Sequence, residues 1–301
     1  MHLPNFIIAG GVATGTSFLS ATLACHPDIY LPKIQRPEPN FFHYSWKFAK
    51  GLDWYRKNWF HEVASQRAIG ERSSLLLPSD VAATRIKETL PDVRLIFCLR
   101  NPIERAWGNY RFTVLEGLEP LAFDEAIQCE PERMRQETDI WAEVQPHAYL
   151  TRSRYSAHLK QFFELFGKER ILLLKSEDLG CKPRENIERV CAFLGVNTTL
   201  SLPLPPNYSS PSVISRTLQI ELRDYFGDRF PELVECIRKE EDVSSLVLTQ
   251  EDETNINLLR SNLRKGKDPL SDASRVHLRE ILASEIDHLQ SLVEFSIDDW
   301  V

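Results

Sequence analysis

Apolar positions along the chain follow two patterns: short unbroken runs, and longer stretches in which they recur every three or four residues. Asn5-Phe6-Ile7-Ile8-Ala9, Val93 to Arg100 and Arg170 to Lys175 are of the first kind. Nearly continuous apolar character is what a strand covered on both faces requires. A further turn and short strand are expected within 68–77. The second pattern predicts helices over Thr16–Cys25, ended by His26-Pro27-Asp28, and over Ser79–Leu90, with Ser79 as cap, Asp80 in the first turn and Pro91 beyond the end. It also predicts helices from Asn101-Pro102 to about Leu115, over 152–166 and over Asn186–Leu194. Strands alternating with helices predict an α/β fold: a central parallel sheet flanked by helices, in a single domain over 1–301.

The pattern weakens from Thr198 to about Asn262, where a Pro/Ser/Asn-rich segment, Leu202–Ser215, precedes a helical stretch over Thr217–Cys236 and the acidic run Glu251-Asp252-Glu253. A last amphipathic helix is expected over Asp272–Leu292. There are no internal repeats.

Composition narrows the function classes. The chain has 301 residues, 43% of them hydrophobic and 26% charged, enough for one large core. A formal net charge of −7 argues against a general nucleic-acid or anionic-membrane surface, and leaves room for a local basic pocket. No apolar run approaches the roughly 20 residues of a membrane span. The six cysteines contain no C-x-x-C pair, as expected of reduced, mostly buried thiols in a soluble cytoplasmic protein.

Ligands of parallel α/β sheets bind at the carboxyl ends of strands. Two segments stand there. Gly10-Gly11-Val12-Ala13-Thr14-Gly15-Thr16-Ser17 joins the first strand to the first helix, and a small-residue turn at a helix N-terminus is an anion socket. Its Gly10-x4-Gly15 spacing suggests a P-loop, but Thr16 occupies the lysine position, which counts against ATP or GTP hydrolysis. The second segment is Arg100, closing the 93–100 strand.

Arg100-Asn101-Pro102-Ile103-Glu104-Arg105-Ala106-Trp107-Gly108-Asn109-Tyr110 resembles the 3′-phosphate-binding segment of sulfotransferases that use 3′-phosphoadenosine 5′-phosphosulfate (PAPS). Pro37-Glu38-Pro39-Asn40-Phe41-Phe42-His43, Ala68-Ile69-Gly70-Glu71-Arg72-Ser73, Leu174 to Leu179, Ala192 to Val196 and Phe295 to Trp300 match further segments of that family in order and spacing. The resemblance is to heparan-sulfate-type sulfotransferases and their bacterial relatives, and is weakest over 201–260.

The resemblance implies PAPS as donor, its desulfated nucleotide (PAP) as product, no metal, and a phosphosulfate-binding turn like a P-loop. Thr14, Gly15, Thr16 and Ser17 would cradle the 5′-phosphosulfate, and Arg100 would hold the 3′-phosphate through bidentate hydrogen bonds. Arg264, Lys265, Gly266 and Lys267 resemble the late basic loop over the same nucleotide; the alternative is a solvated charge run. Glu38 matches the general base, with His43 as its substitute or as an acceptor-binding group. The acceptor implied is a hydroxyl or amine on a small molecule or a glycan, and the 201–260 segment is a candidate lining of its cleft.

Two positions depart from the family. Ala13 stands where a lysine normally stabilises charge on the leaving oxygen, and Gly108 where a serine usually helps bind the 3′-phosphate. Three readings of Ala13 stand side by side. Arg72 or Lys33 supplies the missing cation, the chain binds nucleotide with impaired catalysis, or the alanine is an introduced change that traps a complex.

Overall fold

The structure, a computed structural model, describes residues 2–33, 37–205 and 211–300. Its elements begin β1 (Phe6–Ile8), α1 (Thr16–Leu23), β2 (Ile29–Tyr30), α2 (Ser45–Phe48), α3 (Gly51–Trp59), β3 (Ala68–Arg72), α4 (Ala82–Thr89) and β4 (Arg94–Leu99). There follow α5 (Pro102–Leu115), α6 (Phe123–Gln136), α7 (Asp139–Val144), α8 (Tyr155–Phe166), β5 (Ile171–Lys175), α9 (Ser176–Cys181) and α10 (Pro183–Leu194). The chain closes with β6 (Ser212–Val213), α11 (Arg216–Phe226), α12 (Phe230–Lys239), α13 (Gln250–Asn262), β7 (Leu263–Arg264) and α14 (Asp272–Gln290). Packing divides it into two compact units, one formed by Met1–Arg105, Thr151–Pro205 and Ile281–Val301, the other by Ala106–Leu150 and Pro206–Glu280.

The first unit holds a five-stranded sheet in the order β2-β3-β1-β4-β5. Each neighbouring pair is parallel, with Ile8 opposite Arg72 on one side and Ile96 on the other. The expected apolar strands are present, and their side chains divide by the two-residue period of a strand. Ile7, Ile69, Leu95 and Phe97 join one core with Tyr55, Ile86, Phe162 and Trp300. Phe6, Ile8, Ile96, Cys98 and Leu174 join the other with Leu19, Leu23, Ile187 and Val190. Helices therefore cover both faces, as continuous apolar runs demand. Because the strand order turns at β1, the crevice at its carboxyl end, between β3 and β4, is the natural binding position of such a sheet.

Boundaries shift where local chemistry outweighs periodicity. The helix expected from Ser79 starts at Ala82, with Val81 as its flanking residue; the Ser79 hydroxyl accepts the Ala82 N–H at 3.3 Å, tying down the turn before the helix. The helix expected from Asn186 starts at Pro183, whose missing N–H costs nothing in a first turn. Near the C-terminus Trp300 is buried in the first unit's core, where its carbonyl accepts from Asn101 Nδ2 at 3.3 Å. Lys175 Nζ donates to Ser296 O at 3.0 Å and Asp299 Oδ1 at 2.5 Å in the same unit.

The second unit packs α11, α12 and α13 around Leu222, Phe226, Phe230, Leu233, Ile256 and Leu259. The single helical stretch expected over Thr217–Cys236 is two helices. A 3₁₀ turn at Gly227–Arg229 interrupts it, with Gly227 at φ +54° and Pro231 in the first turn of α12. α13 carries a capping box: the Thr249 hydroxyl accepts the Asp252 N–H, and the Asp252 carboxylate accepts the Thr249 N–H. β6 and β7 pair antiparallel, Ser212 opposite Arg264. Of the 201–260 stretch expected to line an acceptor cleft, residues 206–210 lie outside the described residues. Among the described residues no helix is long and apolar enough to cross a membrane.

Candidate functional site

The turn after β1 is shaped by backbone geometry rather than by charge. Gly10 admits no side chain, because a Cβ there would lie 2.7 Å from Phe97 Cδ1 and 2.9 Å from Phe97 Cα on the adjacent strand. Gly15 flanks α1 in the left-handed region at φ +85°, with no side chain capping the helix. Ala13 is also left-handed at φ +65°, which L-residues seldom adopt. Thr14 is buried and turns its hydroxyl inward onto Gly11 O at 2.7 Å, and Thr16 is buried as well, whereas Gly15 and Ser17 are exposed. No acidic residue stands in the first turn of α1, so its uncapped N–H groups present positive potential to solvent.

Arg72, the last residue of β3, reaches across to this turn. Its Nη1 donates to Ser17 Oγ at 3.1 Å and to Glu38 Oε1. The side chains of Arg72 and Glu38 are 7% and 13% exposed, so the ion pair is largely withdrawn from solvent and weakly screened. Glu38 Oε2 accepts from the Ser74 N–H at 2.7 Å and the Ser74 hydroxyl at 2.8 Å. The expected base, a cation and the turn expected to bind an anion thus stand together. Lys33, the other cation considered for Ala13, is an exposed side chain paired with Glu62 at 3.1 Å.

Arg100 also meets the turn, donating from Nη1 to Ala13 O at 3.2 Å with Glu104 beside it at 3.5 Å. Arg105, on the first turn of α5, is fully buried, and its Nε donates to Ser153 Oγ at 2.7 Å. His43 is half-buried with its ring edge-on to Tyr44, and its backbone carbonyl accepts from Arg85. Gly108 lies on α5 in the second unit, as does the basic loop. There Arg264 pairs with Asp268, Lys265 with Glu240 at 2.5 Å, and Gly266, at φ +102°, accepts from the Ser212 hydroxyl.

Beneath the Glu38–Arg72 pair lie polar groups that hydrophobic periodicity does not mark. Glu71, Ser73 and Asn40 are buried, and so is Lys47 on α2. Burial pushes the Glu71 carboxyl up to about 7 and the Lys47 ammonium down to about 8. The available signal was two successive charges, Glu71 and Arg72, closing a strand with both faces covered. At least one of them had to be buried.

The sulfotransferase domain family model matches residues 3–214. The membrane-associated sulfotransferase kil1 of Dictyostelium discoideum is 32% identical over 114 residues, covering 37% of this chain and 23% of that protein. The human bifunctional heparan sulfate N-deacetylase/N-sulfotransferase 2 is 27% identical over 205 residues, covering 66% of this chain and 23% of that one. This chain therefore spans about a quarter of the length of these curated relatives. A sulfotransferase of Alicyclobacillus acidocaldarius shares the fold at a TM-score of 0.71 and 24% identity, over 100% of this chain and 99% of that one. With the family match covering more than half of its length, the chain belongs to the sulfotransferase domain family.

Proposed function

We propose that this chain moves a sulfuryl group from PAPS to a hydroxyl or amine of a small-molecule or glycan acceptor. The observation that carries the reading is the Arg72 guanidinium, which joins Glu38 to Ser17 at the exposed head of α1. In-line transfer breaks the bond between sulfur and the bridging phosphate oxygen while the acceptor heteroatom bonds to sulfur. The acceptor's proton goes to a base, and negative charge gathers on the leaving phosphate. Glu38 takes the proton. Arg72 leaves Glu38 for the phosphosulfate as donor occupies the turn, which frees the carboxylate and places a cation where the family's lysine is replaced by Ala13.

Thr14, Gly15, Thr16 and Ser17 present the turn's N–H groups and the exposed Ser17 hydroxyl to the 5′-phosphosulfate. Arg100, whose Nη1 donates to Ala13 O, holds the 3′-phosphate; for Gly108 and the Arg264–Lys267 loop the support is the family resemblance alone. A glycan acceptor finds support in the likeness to a heparan sulfate-modifying relative, and a small molecule in the acidic net charge. A cytoplasmic setting rests on six cysteines, all of them free.

The test pairs calorimetric titration with PAP and an assay of labelled sulfate transfer from PAPS to a panel of alcohols, phenols, amines and heparan-derived oligosaccharides. PAP binding, with transfer to at least one acceptor that falls on the order of 100-fold or more in Glu38→Gln, is the expected result. Tight PAP binding with no transfer to any acceptor would reduce the chain to a nucleotide-binding relative.

A further inference from the structure

The transfer step does not use the charges that lie under Glu38. Glu71 precedes Arg72 on β3, and by the period of the strand the two side chains leave on opposite faces. Arg72 goes to Ser17 and Glu38. Glu71 goes inward and is fully buried. The groups facing it are the Tyr55 hydroxyl from α3, the Lys47 ammonium from α2, the Ser73 hydroxyl and the Glu38 carboxylate. Lys47 in turn faces Glu38 and Lys50.

These groups grip three successive residues of the Glu38 loop. Lys47 Nζ donates to the carbonyls of Glu38 at 3.1 Å and Pro39 at 2.6 Å. The Ser73 hydroxyl donates to Glu71 Oε1 at 3.0 Å and accepts the Asn40 N–H at 2.8 Å. Asn40, at φ +40°, places its Nδ2 3.4 Å from Glu38 Oε2 and accepts the Leu75 N–H at 3.3 Å. Removing Glu71 would leave Lys47 as a buried cation with the partly buried Glu38 as its remaining acidic neighbour, and would free the Ser73 hydroxyl to turn.

An apolar pair of the same volume would fill this space without the desolvation cost of two charges, so packing alone does not account for them. Nor is Glu71 saturated as an anion. Its Oε1 accepts from Ser73, and the Tyr55 hydroxyl favours the charged form, but Oε2 has no hydrogen-bond partner of ordinary geometry among the described residues. A carboxyl that exchanges its proton near neutrality fits that environment.

We propose that Glu71, acting through Lys47 and Ser73, is a positioning residue for Glu38: charged, it holds the 38–40 backbone that carries the Glu38 carboxylate, and neutral, it lets that hold relax. The proposal rests on Glu38 being the base. It gives the pH dependence of transfer a second source, in a group that never touches substrate.

A measurement that needs no turnover decides it. In the full chain labelled with ¹³C-glutamate, the carboxyl signals of Glu38 and Glu71 are assigned by through-bond experiments and followed from pH 4 to 9. The Glu38 signal is expected to show an inflection near pH 7, coincident with the titration of Glu71 and absent in Glu71→Gln. A Glu38 signal that passes through neutrality without inflection, or keeps it in Glu71→Gln, overturns the proposal. Lys47→Met provides a second variant should Glu71→Gln fail to fold, and is expected to weaken the same inflection.

With PAPS as donor, Glu71→Gln is expected to lower kcat by about 10- to 100-fold while KM for PAPS stays within about twofold, and to remove the neutral limb of the kcat profile. Equal loss in kcat and in PAP affinity would mark Glu71 as merely structural. If the wild-type chain transfers sulfate to no acceptor while the Glu38 inflection stands, the sulfotransferase reading falls and the coupling of Glu71 to Glu38 remains.

Discussion

The meaning of Ala13 turns on Arg72, far away in sequence, which reaches Ser17 at the head of the helix that follows the same turn. A lysine at that position would deliver charge to the leaving oxygen from the turn itself. Here Arg100 donates to the Ala13 carbonyl, and the carboxyl end of β3 brings a second cation, Arg72, to Ser17, the one proposed above to take the lysine's part. Removing a preorganised charge at a leaving group costs on the order of 100- to 1000-fold in rate. Arg72→Ala should therefore lower transfer from PAPS by about that factor, and adding Ala13→Lys in the same chain should recover about tenfold or more. Steady-state transfer by the single and double variants measures both; no recovery would mean that a charge at residue 13 does not reach the same oxygen. Glu38, Arg72 and the turn residues were legible as candidates because their types and order resemble a known site. The Glu38–Arg72 bond and the buried Lys47 were not. A Lys on an amphipathic stretch looks solvated until packing shows its ammonium bound to the carbonyls of Glu38 and Pro39.

Among the elements, β1, α1, β3 and β4 act as the frame of the turn at residues 10–17. Just after β1, the chain at Gly10 approaches β4 so closely that no side chain fits there. Gly10→Ala would drive a methyl group into the Cα and ring of Phe97, and overpacking of this kind costs about 1–3 kcal/mol. A lowered melting temperature together with weakened PAP binding is expected, since the turn is displaced along with the strand. Thermal unfolding of the variant with and without PAP checks it. The strands were legible because a sheet covered on both faces leaves unbroken apolar runs. The break at Gly227–Arg229 was visible as Gly227 and Pro231 yet masked by apolar residues that keep helical spacing on both sides of it.

For the whole molecule, the buried Glu71 and Lys47 predict an unusual stability profile. The folded-state carboxyl of Glu71 is raised to about 7 from an ordinary value of 4.5. Between those values the unfolded chain has lost a proton that the folded chain keeps, so stability falls as pH rises, by up to about 1.4 kcal/mol per pH unit. Lys47, lowered to about 8 from 10.5, has the opposite effect: between those values the unfolded chain holds a proton that the folded chain has lost, and stability rises with pH. These two groups should place a minimum near pH 7 to 8, and Glu71→Gln should flatten the acidic side of it. Denaturant midpoints from pH 4 to 10 measure the effect; an unchanged slope between pH 4.5 and 7 in Glu71→Gln would refute it. The sequence by itself determined the parallel α/β sheet, the position of the turn after β1 and the family, because these follow from local periodicity, backbone constraints at glycine and the order of short motifs. Tertiary structure alone decided that Arg72 bonds Ser17 and Glu38, that Arg105 is buried, and that a carboxyl and an ammonium lie beneath the Glu38 loop. Burial and charge pairing depend on what the fold brings alongside each residue, and adjacency along the chain carries little of that.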